Sequence, residues 1–345
     1  MTKKHRIAII GLGMAVTPHA KSLLDLSERV EVAYACNRSE GRRKAFGEKF
    51  PFPLSGDPEE ALKDPTVDCA LILTTPDSHL DLVSRFAAAG KHVLLEKPLE
   101  ITSERAAEMI GVCRKAGVRL GIVLQHRHRR PGIRLREILA SGQLGKIVGA
   151  SVFIPVWRPQ KGYYDQPGRG DKLRDGGGVL LTQGIHPLDV FLSLTARPIE
   201  VTGYARTSPV HRMETEDIVA AAVRFEDGAI GVVDATTTAY PGFPERMQFF
   251  CEKGSALITG TELTVSYHDG SHETVEADTA VGGTGADPMA FPHDHHREVL
   301  RDFLDALDEG RDPLVSGEVA LRTHRFIDAI LQASAEGRPV TVVHD

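Results

Sequence analysis

Cysteine is scarce in this chain and carries no pattern. Cys36, Cys69, Cys113 and Cys251 are the only four in 345 residues, and their spacing forms neither a CxxC pair nor a disulfide ladder. Cys36 and Cys69 fall in apolar, strand-like runs, where a thiol reads as a small core residue of a protein from a reducing compartment. No apolar stretch reaches the length of a membrane helix, and there is neither an internal repeat nor a low-complexity tract. An excess of positive charge is missing as well. With 41 Lys and Arg against 47 Asp and Glu the net charge is -6, and the one dense basic run, residues 127–130, is too short to make nucleic acid the expected partner. Basic residues near the start lead into a strand and a glycine turn, not the apolar core of a signal peptide. What these absences leave is a soluble, cytoplasmic globular protein of ordinary composition, long enough for two domains.

The most informative stretch is Arg6-Ile7-Ala8-Ile9-Ile10-Gly11-Leu12-Gly13-Met14-Ala15. An apolar run of strand length meets a Gly-x-Gly turn and continues into a helix-like segment over 17–26. A dinucleotide-binding βαβ unit begins in this way: Gly11 permits the tight turn, Gly13 admits a pyrophosphate, and the helix N-terminus offers N–H groups to the phosphates. The third fingerprint position is Val16, not Gly or Ala, so the same ten residues also suit any strand-to-helix turn built on two glycines.

Strand-like runs over 6–10, 30–36, 69–74, 92–95 and 119–124 alternate with helix-like stretches over 17–26, 40–50, 58–62, 80–89 and 103–116, with Ser103 as the N-cap of the last and Gly117 as its stop. Short-linked βα alternation predicts a parallel sheet covered on both faces, in a first domain over 1–125. Beyond 125 the rhythm changes to longer alternating runs over 147–156, 199–206, 218–225, 229–237, 247–251, 255–259 and 263–268, with helices over 131–141, 180–194, 297–309 and 317–332. The expectation is an α/β chain: an N-terminal Rossmann parallel sheet, then an α+β domain over 126–345 with a large, mostly antiparallel open sheet. Gly/Pro-rich segments over 160–178 and 282–293 are long enough to be functional loops.

Four motifs carry a family resemblance: Gly11-Leu12-Gly13-Met14-Ala15 with His19; Thr74-Thr75-Pro76-Asp77-Ser78-His79; Gly90-Lys91-His92-Val93-Leu94-Leu95-Glu96-Lys97-Pro98; and Gly176-Gly177-Gly178 running on to His186-Pro187-Leu188-Asp189. Together they resemble the glucose–fructose oxidoreductase / inositol dehydrogenase (Gfo/Idh/MocA) family across nearly the whole chain. The resemblance implies hydride transfer between a nicotinamide and a secondary alcohol or ketone of a sugar, glycoside or cyclitol. It assigns the nucleotide to Gly11, Leu12, Gly13, Met14, Ala15, Asn37, Arg38, Ser39, Thr74, Thr75, Pro76, His79, Glu96, Lys97 and Gln125. It also implies a cis Lys97–Pro98 bond and a homodimer or homotetramer built on the exposed sheet face.

Lys97 ends a strand at the carboxyl edge of the expected sheet, where open α/β folds bind ligands. Beside an oxidised nicotinamide its charged form would be disfavoured, which suits a general acid/base; read alone, a Glu-Lys dipeptide is a solvated pair. On a continuous helix Thr182, His186 and Asp189 share one face, so His186 is the expected second proton-transfer group. Related sequences often carry Asp where this chain has Thr182, which removes a carboxylate from the expected set and leaves Lys97 with His186 as the pair. Gln125, Arg127 and His128 follow the last strand of the first domain; Arg127 and His128 suit substrate hydroxyls or a domain seam equally. Trp157, Tyr163 and Arg169, with Asp189, are substrate-side candidates, aromatic faces and guanidinium suiting a sugar; a loop packed on a neighbouring subunit reads the same. His293-Asp294-His295-His296 lacks metal-ligand spacing, so no metal is expected.

After the second strand an NAD site usually offers Asp or Glu to the ribose. Here the sequence is Cys36-Asn37-Arg38-Ser39, with Arg42 and Arg43 one turn on. That favours NADP(H); NAD(H) remains open if Asn37 takes the ribose and Arg38 stacks on adenine. Two other readings stay open: a reductase of a non-sugar carbonyl or dihydrodiol, and a non-catalytic nucleotide-binding sensor.

Overall fold

The computed structural model describes residues 4–276 and 292–344. The first stretch runs β1 (His5–Ile10), α1 (Val16–Asp25), β2 (Val30–Cys36), α2 (Glu40–Gly47), β3 (Leu54–Ser55), α3 (Pro58–Lys63), β4 (Cys69–Ile72), α4 (His79–Ala88), β5 (His92–Glu96), α5 (Ser103–Ala116) and β6 (Leu120–Val123). The second runs α6 (Arg130–Ala140), β7 (Ile147–Pro155), α7 (Val179–Thr182), α8 (Ile185–Leu194), β8 (Pro198–Arg206), β9 (Ile218–Phe225), β10 (Ile230–Thr236), β11 (Arg246–Cys251), β12 (Gly254–Thr259), β13 (Glu262–Tyr267) and β14 (His272–Val275). Helices α9 (Asp294–Glu309) and α10 (Gly317–Glu336) and the short β15 (Val340–Thr341) complete it. The chain divides into two compact units: residues 1–125 with 293–321, and residues 126–292 with 322–345.

In the first unit six parallel strands lie in the order β3-β2-β1-β4-β5-β6, the doubly wound arrangement expected of the βα alternation. All four residues of β4 and of β6 are buried, as strands covered on both faces must be. Ile7, Ile9, Leu71, Leu94 and Val123 of the sheet share one core with Val16, Ala20 and Leu23 of α1 and with Val299, Leu300, Phe303 and Leu304 of α9. Val16 therefore fills the third fingerprint position as a core residue at the first turn of α1. The cap of α5 is Thr102, one residue before the expected Ser103, because its hydroxyl accepts the Arg105 N–H; Gly117 ends the helix at φ 70°.

In the second unit nine strands form one sheet, β14-β13-β12-β11-β7-β10-β9-β8-β15, antiparallel except for the central β7–β10 pair. β9 alternates strictly between exposed and buried residues. The buried face meets α8, whose Phe191 lies 6.1 Å from the Phe225 ring and 6.0 Å from that of Phe249. The opposite face leaves Tyr204, Ile218, Ile230, Val232 and Phe250 exposed. All four cysteines are buried and unbridged. Among the described residues no helix is long and apolar enough to cross a membrane.

Candidate active site

The nucleotide-type cradle is built where β1 ends. Gly11 has φ 107°, its N–H donates to Cys36 O, and a Cβ there would come within 2.9 Å of Leu73 O, so only glycine fits. At Gly13 a Cβ would meet nothing within 4 Å, leaving room beside the backbone. Leu12, Met14 and Ala15 complete the turn; no acidic side chain stands in the first turn of α1, so the positive end of that helix is not neutralised locally. The Gln125 Oε1, buried after β6, has no hydrogen-bond partner among the described residues, an open acceptor of the kind a carboxamide would satisfy. A dinucleotide fits this donor and acceptor set.

After β2, Asn37 accepts the Ser39 N–H, and the Ser39 hydroxyl caps α2 by accepting from Arg42 N. Arg43 is committed to the carbonyls of Asn37 (2.6 Å) and Arg38 (3.0 Å), whereas Arg38 and Arg42 are exposed. Thr74, Thr75 and Pro76 form a turn after β4 that the Ser78 hydroxyl ties back to Thr74 and Thr75. His79 is fully buried, its ring nitrogens 3.1 Å from Thr74 O and 3.2 Å from Leu99 O. Burial pushes its pKa below the ordinary histidine range, so the neutral ring braces this turn through one N–H at a time.

Glu96 closes β5. Its carboxylate faces His19 Nε2 at 3.1 Å through Oε1 and accepts the Lys97 N–H at 2.8 Å through Oε2; the Lys97–Pro98 peptide is cis. His296 of α9 packs edge-on against His19, ring centroids 5.0 Å apart. Burial, then the neighbouring His19, His295, His293 and Lys97, holds His296 well below its ordinary pKa. The ligand-type atoms of His19, Glu96 and His296 lie within 4.8 Å of one another, the one such group of three among the described residues. Lys97 beside them opposes a second cation electrostatically. His293 instead pairs with Asp25 at 2.9 Å. Most of the expected loop over 282–293 lies outside the described residues.

In the second unit the expected continuous helix over 180–194 is broken. α7 stops at Thr182 and α8 begins at Ile185, because the chain tucks in at Gly184: its N–H reaches Val179 O at 2.7 Å, and a Cβ would sit 3.0 Å from that oxygen. Thr182 and His186 are thus not on one helical face, as expected from their spacing. The Thr182 hydroxyl instead lies 2.6 Å from Gly178 O and 2.5 Å from Gln183 Oε1. His186 and Asp189 do share α8, both buried. Asp189 takes Arg127 Nε at 2.5 Å and Nη2 at 2.9 Å, a two-point pair that occupies both carboxylate oxygens.

Tyr163 is buried, its hydroxyl accepting from Gln183 Nε2 at 2.6 Å, with the guanidinium carbons of Arg158 and Arg169 at 5.5 and 5.1 Å from the ring centre. Trp157, half-buried, meets Tyr240 edge-on at 5.5 Å, and His128 lies half-buried in the short turn Gln125–His128. Two residues escaped the sequence reading. His126 stacks on His186 at 4.7 Å, and nothing in its spacing separates it from its neighbours Gln125 and Arg127. Glu216 accepts the N–H groups of Gly178 and Leu180, both at 3.1 Å, and so fixes the glycine loop; burial raises its carboxyl pKa against the pull of those donors.

Residues 5–123 match the oxidoreductase family with an NAD-binding Rossmann fold (Gfo/Idh/MocA), and residues 133–257 match the Gfo/Idh/MocA C-terminal domain. The chain belongs to the Gfo/Idh/MocA family. Among Gfo/Idh/MocA relatives, it is 28% identical over 325 residues to myo-inositol 2-dehydrogenase of Thermotoga maritima, covering 91% of each chain. It is 29% identical over 288 residues to 1,5-anhydro-D-fructose reductase of Ensifer adhaerens, covering 82% of each. The fold matches the WlbA dehydrogenase from Bordetella pertussis, solved with NADH and UDP-GlcNAcA, at a TM-score of 0.85 and 24% identity over 99% of this chain and 100% of that one. Membership of this Gfo/Idh/MocA family makes the protein an NAD(P)-dependent dehydrogenase or reductase.

Proposed function

We propose that this enzyme exchanges a hydride between NADP(H) and a secondary carbinol, or its ketone, of a sugar, glycoside or cyclitol, with Lys97 and His186 handling the proton. The carrying observation is that Lys97 directly follows β5, at the carboxyl edge of the parallel sheet, on a backbone anchored by Glu96. The bound nicotinamide supplies the hydride acceptor or donor. Lys97 takes the hydroxyl proton in oxidation and returns it in reduction, its amine form favoured by the positive charge of the oxidised ring. His186 holds the second exchangeable proton. Gly11, Leu12, Gly13, Met14 and Ala15 bind the pyrophosphate, Thr74, Thr75 and Pro76 flank it, and Gln125 accepts from the carboxamide.

Exposed Arg38 and Arg42, with no carboxylate between Cys36 and Glu40, support a 2′-phosphate and hence NADP(H), with Asn37 and Ser39 as further donors. The names of the inositol and anhydrofructose relatives support a polyol. Trp157, Tyr163, Arg169 and His128 suit its ring and hydroxyls, while Arg127 and Asp189, tied to each other, brace the turn that carries them. In this reading the first unit, 1–125 with 293–321, binds the cofactor, and the second, 126–292 with 322–345, binds substrate and a second copy of the chain through the exposed sheet face.

The test is oxidation of a panel of inositols, aldoses and glycosides with NADP+ and NAD+ supplied separately, beside Lys97→Ala. NADP+-dependent turnover that disappears in Lys97→Ala is expected. Turnover that survives the substitution sinks the proton assignment, and nucleotide binding without turnover of any polyol sinks the substrate class.

A further inference from the structure

We propose that His126 is a positioning residue for proton transfer through His186: a ring held neutral by Arg129, on whose face the protonated form of His186 rests. The proposal builds on the assignment of proton handling to His186. Both rings belong to the second unit, with centroids 4.7 Å apart and planes 28° from parallel. Arg129 Nη2 lies 2.6 Å from His126 Nε2. A guanidinium has no acceptor, so Nε2 must be the acceptor and the proton of the ring sits on Nδ1. That atom faces Glu245 Oε1 at 3.4 Å, and the same oxygen accepts Arg129 Nη1 at 2.5 Å.

A proton on Nε2 would break the Arg129 contact, so His126 is kept uncharged. Two stacked imidazolium rings would repel; a neutral ring presents the negative face of its π system to a cation instead. Several charged or polar groups of the same turn, of α6 and of the loop before α7 are engaged with partners of their own. Arg127 is neutralised by Asp189 and Arg129 by Glu245; Arg136 of α6 donates to Ser193 of α8; Tyr163 accepts from Gln183. Thr182, directed at Gly178 and Gln183, brings no carboxylate to steady the imidazolium. The His126 face, stacked at 4.7 Å, is a group placed to steady it.

The experiment is an NMR titration of the full chain with labelled histidine, His186 being identified by the resonance lost in His186→Asn. In the wild type, His126 should hold the Nδ1–H neutral form through pH 5–9. His126→Asn keeps a hydrogen-bonding side chain and removes the ring; the His186 midpoint should fall by about one pH unit, tenfold in proton affinity. His126→Phe keeps the face without the nitrogens and should hold the midpoint close to the wild type. Should either variant fail to fold, Arg129→Gln leaves both rings in place; His126 should then take up a proton and depress the His186 midpoint. Equal midpoints in the Asn and Phe variants, a His126 that titrates in the wild type, or an Arg129→Gln titration identical to wild type would each overturn the proposal. Turnover of a polyol substrate by His186→Asn at the wild-type rate would instead overturn the proton assignment, leaving the titration result standing on its own.

Discussion

Asp189 and Arg127 offer the sharpest test of what the second unit is built to do. Their side chains are 1% and 11% exposed, and the two-point contact satisfies both carboxylate oxygens, with the Thr323 hydroxyl 3.5 Å from one of them. Asp189→Asn keeps the shape and leaves the guanidinium buried without its countercharge. Removing one partner of a buried pair costs about 3–5 kcal/mol, a large part of the ~5–15 kcal/mol that holds a domain folded. With a urea dependence of ~3 kcal/mol per molar, the unfolding midpoint should fall by about 1–1.7 M. The double variant Arg127→Met/Asp189→Leu, which removes both charges, should recover most of that loss. The assay is urea denaturation followed by circular dichroism, beside KM for whichever polyol the wild type turns over. A midpoint within ~0.3 M of the wild type, with KM raised tenfold, would refute the structural role and return both residues to the substrate.

Asn37→Asp places a carboxylate at the end of β2 and should move the ratio of NADPH to NADH affinity at least tenfold toward NADH, read by fluorescence titration; an unchanged ratio would remove the argument for a 2′-phosphate site. Burial raises the Asp217 carboxyl, but hydrogen bonds from His211 and Ser208 outweigh it and leave the pKa below its ordinary value. A depressed carboxyl contributes stability above its unfolded pKa of about 3.9 and loses it as pH falls further. The melting-temperature gap between wild type and Asp217→Asn should therefore be constant from pH 5 to 7 and shrink below about pH 4; a gap that widens in acid contradicts the pairing. Burial pushes the thiols of Cys36 and Cys251 up to about 11 and that of Cys113 to about 12, with Cys69 raised as well. None of the four should react with a disulfide reagent at pH 8 until the chain is unfolded; rapid labelling of the native protein would contradict their burial.

The parallel sheet was legible because a strand buried on both faces must be apolar along its buried length: β4 and β6 are so throughout, and β1 and β5 are so inside their polar ends. β3 and β15, two residues each, are too short for any periodicity, and β14 alternates only weakly. The break at Gly184 was passed over because the apolar spacing runs through it undisturbed; Gly184 and Pro187, which disfavour a continuous helix across 183–187, were the signals for it, and the approach to Val179 O fixes its place. Cysteine burial and the Gly11 turn followed from local chemistry. The Arg127–Asp189 pair and the glycine-loop clamp of Glu216 join residues far apart in sequence, where no spacing rule reaches. His126 was passed over for a related reason: its partners, Glu245 and His186, are distant in the chain.

The core of the first unit is closed by residues that arrive late. Phe303, Leu300 and Leu304 sit among the side chains of β1 and α1, yet residues 126–292 are made in between. On a ribosome the nascent 1–125 segment must wait with an apolar groove uncovered while eight strands of the second sheet, β7 to β14, are synthesised. The entropy of closing so long a loop grows only slowly with its length, so the delay is one of time more than of equilibrium stability. Cutting the gene at residue 125 would not yield an independent nucleotide-binding module, whereas joining 1–125 to 293–321 through a flexible linker should.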